Sequence, residues 1–333
     1  MVTNDISDVR PRILFYPHHM EGTYTFGDLT KPFLTVGLGI FPFKYNPDVR
    51  NLGEYLFRSG TYPQYLINDF DFAASRLTGI RFSFSLFDSL NLNAMLLDEN
   101  QMVPYNDYGI ALLGDYTFAK ALTVGGGVFF SHLFSTNDNY TQPKSASNMY
   151  FVNGPTDTNY YTFRGTKLMG RISFDPKVFF QTPLFKKDDL RIYGEINVLG
   201  WKDYPVYYTE RWRRMPISGG INLPTFGLLD VLSSEVEWYA NKYPNSYWKV
   251  IHFENVPIPG KLNNETVPYN WEDNTIKWSF FAQKQITNNF RITAQVARDH
   301  WRLYRHYFMQ NDVEETMKSK GDWGWIMKGS FYF

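Results

Sequence analysis

A histidine beside a carboxylate is the arrangement in this sequence that comes nearest to hydrolytic chemistry. The stretch "RDHWRLYRH" (298–306) sets Asp299, His300 and His306 near the end of an alternating segment, where an imidazole oriented by an acid could act as a general base. A base needs something to activate, and the chain has no G-x-S-x-G elbow, no P-loop, no H-E-x-x-H and no EF-hand loop. It has no cysteine, which removes thiolate nucleophiles, thiolate zinc sites and disulfides together. His18 and His19 in "PHH" are too few for a metal site. The expectation is a chain that is not an enzyme and that holds no metal and no cofactor.

The remaining chemistry-bearing residues are charges that recur at every second position. Arg81, Arg171, Arg191, Lys277, Arg291 and Lys328 stand against Asp115, Glu195, Glu235 and Glu237, each on the parity opposite a row of apolar side chains. In 78–87, Ile80, Phe82, Phe84 and Leu86 alternate with Arg81, Ser83 and Ser85; in 190–198, Leu190, Ile192, Ile196 and Val198 alternate with Arg191, Tyr193, Glu195 and Asn197. Period two is the signature of a strand with one apolar and one polar face. The same pattern predicts twelve strands, at 33–43, 78–87, 91–98, 108–118, 121–133, 167–175, 190–201, 214–223, 229–240, 275–285, 289–304 and 322–333. The stretch beyond 175 is read as a continuation through a bulge at Pro176.

The joints alternate in length. Compact turns such as "FDSLN" (87–91), "FAKAL" (118–122), "FKKDDL" (185–190), "TFGLLD" (225–230) and "ITNNF" (286–290) separate long connections at 44–77, 99–107, 134–166, 202–213, 241–274 and 305–321. Such an alternation places all short turns on one rim and all long loops on the other, as an up-and-down antiparallel barrel requires. Composition agrees. Aromatic residues make up 19% of the 333, yet mean hydropathy is negative and no run approaches a helical membrane span. Lys+Arg and Asp+Glu balance at 33 each, so no global field draws nucleic acid to the chain. The opening "MVTNDISDVRPR" lacks the basic and apolar regions of a signal peptide. Tyr116, Phe118, Phe174, Trp201, Trp238, Trp278, Trp323, Trp325, Phe331 and Phe333 gather near strand ends, where membrane girdles sit, so the apolar face is expected to look outward into lipid.

The final strand "DWGWIMKGSFYF", ending on Phe333 with Phe331 two places before it, together with the short-turn and long-loop layout over 33–333, resembles the outer-membrane β-barrels of Gram-negative bacteria. Gly329 lies one place later than that family's C-terminal signal usually has its glycine. The resemblance implies an exported, porin-like protein of the bacterial outer membrane, with both termini and the short turns periplasmic and the long loops extracellular. It implies contact with outer-membrane lipid and lipopolysaccharide, and with the insertion machinery through the Phe333 strand. Closure in hydrocarbon is expected to pair "FLTVGLGIFPF" with "GWIMKGSFYF", since every backbone group there needs a partner.

Residues 44–70, "KYNPDVRNLGEYLFRSGTYPQYLINDF", hold Arg50, Glu54, Arg58 and Tyr62 amid enough apolar side chains to pack. Folded into the barrel, the segment makes a constriction that sets Arg50 and Arg58 in the path of a solute; left outside, it is an extracellular cap or an oligomer contact. Residues 1–32 are read as a periplasmic tail or a plug. The inward charges either select small hydrated solutes or pair with one another and fill the barrel. The first reading makes a narrow channel for small polar or charged solutes. The alternative is a non-conducting barrel serving as a structural or partner-binding subunit of an envelope complex, and an outer-membrane hydrolase ranks third.

Overall fold

The computed structural model describes residues 19–28, 31–59, 75–87, 89–100, 104–180, 184–205, 209–240, 276–299 and 321–332. Its strands are β1 (Met20–Asp28), β2 (Lys31–Phe43), β3 (Ser75–Leu86), β4 (Leu90–Asp98), β5 (Tyr108–Phe118), β6 (Leu122–Phe134), β7 (Met149–Phe151), β8 (Thr158–Tyr160), β9 (Gly165–Phe174), β10 (Ile192–Val198), β11 (Ile217–Asn222), β12 (Val231–Trp238), β13 (Ile276–Thr287), β14 (Phe290–Arg298) and β15 (Gly324–Phe331). The strands β7 and β8 form a small hairpin in the β6–β9 connection. The other thirteen make one sheet in chain order, and every neighbouring pair is antiparallel.

All twelve expected strands are present, and a thirteenth precedes them. Residues 20–28, taken above as part of a tail or plug, pair with β2 from Met20↔Ile40 to Asp28↔Lys31. The consequence is topological. β2 has β1 on one side and β3 on the other, so it has no edge left for β15, and the expected pairing of "FLTVGLGIFPF" with the last strand is excluded. The sheet's two edges are β1 and β15, which remain unpaired with each other among the described residues. An odd number of crossings also sends the chain in and out on opposite rims: β1 begins on the long-loop side, and β15 ends on the short-turn side.

Local chemistry explains the joints. The β5–β6 turn places Ala119 and Lys120 both at positive φ (45° and 58°), the twist that matches a tight hairpin, and Ala121 N–H closes it on Phe118 O at 3.0 Å. The β9–β10 joint departs from expectation. Asp175 accepts a hydrogen bond from Lys177 N–H at 3.1 Å and Pro176 opens a 3-10 turn, so β9 stops at Phe174 instead of continuing through a bulge.

The faces are reversed relative to a water-soluble protein. On the outward face Leu38 is 62% exposed, Val236 54% and Met327 67%, while on the inward face Glu237 and Lys277 are 0% exposed and sit directly opposite each other across β12 and β13. In water each such apolar side chain left uncovered forgoes roughly 1.5–3 kcal/mol of burial, repeated along every strand. Buried charges demand partners, and a curled sheet with its polar face inside supplies them. A single segment, residues 44–59, meets the inward faces of β2, β4, β5, β6, β9, β10 and β12, so the sheet wraps around it. No helix among the described residues is long and apolar enough to cross a membrane, which says nothing about strands.

Candidate functional site

The chain leaves β2 at Phe43 and turns back into the enclosed space. Gly53 and Glu54 lie consecutively at positive φ (89° and 62°), and this reversal starts the single helical turn α1 (Tyr55–Arg58). Gly53 is required there twice over: its backbone is left-handed, and a Cβ would stand 2.8 Å from the Glu195 carboxyl. Ser59 Oγ closes the turn by donating to Tyr55 O at 2.6 Å.

Two wall carboxylates hold the segment. Glu235 on β12 accepts the backbone N–H groups of Arg50 at 2.5 Å, Asn51 at 2.9 Å and Leu52 at 2.9 Å, and Tyr193 Oη donates to it at 2.8 Å. Glu195 on β10 accepts from Glu54 N–H at 2.6 Å, Asn46 Nδ2 at 2.9 Å, Tyr45 Oη at 3.2 Å and Asn197 Nδ2 at 2.8 Å. Around them, Tyr55 Oη donates to Glu237, Asn51 Nδ2 donates to Asp299 at 2.7 Å, and Lys167 Nζ donates to Ser59 O at 2.5 Å. Ser173 Oγ at 2.6 Å and Arg191 Nη1 at 2.9 Å both donate to Asp48. Hydrogen bonds to ionised acceptors are about twice as strong as neutral ones, and the two wall carboxylates sit on the strands β10 and β12.

The opposite side of the segment is apolar. Leu56 and Tyr45 are buried among Phe41, Met95, Leu97, Ala111, Leu113, Phe129 and Met169, and the Phe57 ring lies 5.4 Å from that of Phe129. Polar clamps on one wall and a greasy pocket on the other fix the segment in one position. Burial, and then the neighbouring Glu195, push the Glu54 carboxyl up to about 8, so it is largely protonated at neutral pH. Burial lowers the Lys44 ammonium to about 8.

The charges named from sequence divide into four groups. Glu54, Glu195, Glu235 and Glu237 converge on the segment, and Arg50 joins them through its backbone while its guanidinium lies 3.6 Å from Asp188. Arg58 points elsewhere than into an open path: it is buried and donates to Asn51 O and Gly53 O of its own loop, each at 3.1 Å. Arg81 pairs with Glu21 at 2.8 Å, Arg171 with Asp115 at 3.3 Å, and Arg191 with Asp48 and, at 3.5 Å, Asp175. Arg291 and Lys328 lie apart from the segment on the last two strands, with the Arg291 guanidinium 5.0 Å over the Tyr332 ring. Tyr62, His300, His306 and Phe333 fall outside the described residues. Asp299 is fully buried beneath Asn51, which makes it a support of the segment.

Tyr45, Asn46, Asp48 and Asn51 belong to the clamp although nothing in their spacing marks them, and Asn197, on the polar parity of β10, joins them. His132 was missed as well. It is buried at positive φ, with Nδ1 3.1 Å from Asp107 and Nε2 3.3 Å from Glu99, and it ties the 99–107 connection to the end of β6. Beside it opens a pocket at the long-loop rim, floored by Phe57, Phe129 and Ser59. Burial raises the Glu99 carboxyl; burial also acts upward on Asp107, but hydrogen bonds from His132, Thr141 and Thr136 outweigh it and hold Asp107 low. Among the described residues no group of three or more His, Cys, Asp or Glu is placed to hold a metal ion.

No protein-family model matches the chain, and no curated protein matches it. Among solved structures, a mutant of the Rh. blastica porin overlays with a TM-score of 0.40 at 9% identity, covering 80% of this chain and 68% of the porin. A double mutant of OccD1 (OprD) overlays with a TM-score of 0.33 at 10% identity, covering 90% of this chain and 74% of that one.

Proposed function

We propose that the protein is an outer-membrane barrel that passes small polar or charged solutes by diffusion through an interior narrowed by residues 44–59. The observation that carries this reading is the division of the inward face. On the β5–β12 side the polar residues are sealed against the segment, as Glu195, Asn197, Ser233 and Glu235 are. On the other side access to solvent is kept toward the short-turn rim, where Ser85 and Asn91 are exposed and Arg291, Thr293, Lys328 and Ser330 are half-buried, while Gln295 and Asp299 nearer the long-loop rim are buried. A hydroxyl- and amide-lined route with a few fixed charges beside a clamped segment suits selection by size and hydrogen bonding. The outward apolar face suits acyl chains, and the aromatic C-terminal strand suits delivery by the barrel-insertion machinery.

A second reading has its own observation. The carboxylate clamp and the apolar cluster together fill the middle of the interior, which is what a non-conducting barrel serving as a structural or partner-binding subunit of an envelope complex would need. Conductance across a planar bilayer separates the two. A channel gives discrete current steps; a scaffold reconstitutes silently. Silence from protein proven to be inserted overturns the channel reading.

A further inference from the structure

A cluster of indoles and guanidiniums lies at the long-loop ends of β10, β11 and β12, outside the clamped segment. Trp238, the last residue of β12, pairs with Ile217 on the outward face, and its ring stacks on Trp212 at 6.0 Å with the planes 12° apart. Trp212 belongs to the 3-10 turn Arg211–Arg214 in the β10–β11 connection. The Arg213 guanidinium lies 4.5 Å over the Trp212 ring, and that of Arg211 lies 4.2 Å over Trp201. The three indoles are between 38% and 49% exposed. Arg213 pairs with Glu210, Arg214 pairs with Asp203, and Arg211 pairs with the same Asp203 at 2.9 Å. Across 201–214 the cations Lys202, Arg211, Arg213 and Arg214 outnumber the acids Asp203 and Glu210 by four to two, a local excess of two positive charges.

We propose that this cluster is a binding site for the phosphate of an anionic membrane lipid in the leaflet that the long loops face. The proposal rests on the membrane reading given above. Level with Trp238 and just below it the outward face is bare hydrocarbon surface, with Ile217 and Val236 both exposed, so an acyl chain lying there brings its headgroup level with Arg211 and Arg213. Guanidiniums already laid flat on indoles lose little freedom when they take up a phosphate, because the ring holds the plane; Arg211 spends its Nη2 on Asp203 and Arg213 its Nε on Glu210, and the phosphate takes N–H groups that those acids leave. Tryptophan at the polar–apolar boundary and arginine just above it match the two halves of such a lipid. A free phosphate ion would find the charge and none of the apolar surface.

The test uses the full chain in neutral detergent micelles, titrated with phosphatidylglycerol or phosphatidylcholine and read by native mass spectrometry. The wild type is expected to retain phosphatidylglycerol, and Arg211→Ala with Arg213→Ala to weaken that retention about tenfold or more, at roughly one kcal/mol for each cation near a surface. Phosphatidylcholine is expected to bind weakly and equally to both, and millimolar inorganic phosphate to leave the phosphatidylglycerol signal in place. Equal retention by wild type and double variant, equal binding of the two lipids, or displacement by inorganic phosphate alone would each overturn the site. If the double variant loses its β-sheet circular dichroism, single Arg213→Gln gives the same readout. Failure of the membrane reading looks different: a wild type that takes up neither lipid and stays dissolved without detergent.

Discussion

Replacing Glu235 by alanine attacks the clamp at its strongest point. The carboxylate accepts three consecutive N–H groups, from Arg50, Asn51 and Leu52, and is itself 2% exposed. A hydrogen bond to a charged acceptor contributes about 1.5–3 kcal/mol, and a buried donor left without a partner costs a similar amount. Water entering the vacated space offsets part of the loss, which leaves about 3 kcal/mol and shifts the ratio of held to released segment roughly 100-fold. Val49 is 2% exposed, so a Val49→Cys background is shielded from a water-soluble maleimide as long as the segment stays docked. Labelling in that background is expected to accelerate about as much as the ratio shifts, and single-channel conductance to rise with it. Glu235→Gln keeps one acceptor oxygen and is expected to fall between. Unchanged labelling and unchanged conductance in Glu235→Ala, with the sheet intact, would refute the claim that wall carboxylates hold residues 44–59.

Three more outcomes follow from the same geometry. Glu54 titrates near 8 when folded against an ordinary 4.5, so its contribution to docking is complete below about pH 4.5 and is lost as pH rises to about 8; Lys44, lowered to about 8, returns stability only above that. Thermal scans from pH 4.5 to 8 are expected to show this decline in the wild type and a flatter profile in Glu54→Gln. Gly53→Ala forces a side chain into a left-handed backbone position and against Glu195, and is expected to lower the thermal midpoint by the equivalent of about 1–3 kcal/mol; an unchanged midpoint would mean that the reversal at Gly53 is not needed. Since an open edge is untenable in hydrocarbon, β1 and β15 are expected to close the barrel as a parallel pair, and Tyr24→Cys combined in turn with Trp325→Cys, Met327→Cys or Gly329→Cys should yield a disulfide in at least one folded variant. Three negatives would leave the seam open.

The sheet was legible because its information is local. Alternation at 108–118 gives β5 (Tyr108–Phe118) to the residue, since one apolar and one polar face need no knowledge of the neighbours. β1 was hidden although Met20, Tyr24 and Phe26 do alternate with Glu21, Thr23 and Thr25. Gly22 and Gly27 dilute its strand character, and the polar residues before it read as tail. That single omission shifted the expected closing pair and put the termini on the same rim. The clamp was illegible for another reason. Glu195 and Glu235 were readable as inward charges, but the backbone N–H groups they hold, of Glu54 and of Arg50 to Leu52, lie more than 140 residues away and carry no side-chain signature. Arg58 shows the same limit from the other side: a cation in an inward loop suggested a solute contact, and the fold spends it on its own carbonyls.

The account stands on lipid facing the apolar side of each strand. Spin labels placed singly from 231 to 238, in protein reconstituted into vesicles, measure that side directly by collision with oxygen, which concentrates in acyl chains, and with a water-soluble nickel complex. Labels at Leu232, Ser234, Val236 and Trp238 are predicted to collide with oxygen and those at Ser233, Glu235 and Glu237 to be shielded from it, with a period of two. The opposite phase, or nickel access at Val236 equal to that of a free label in water, would contradict it.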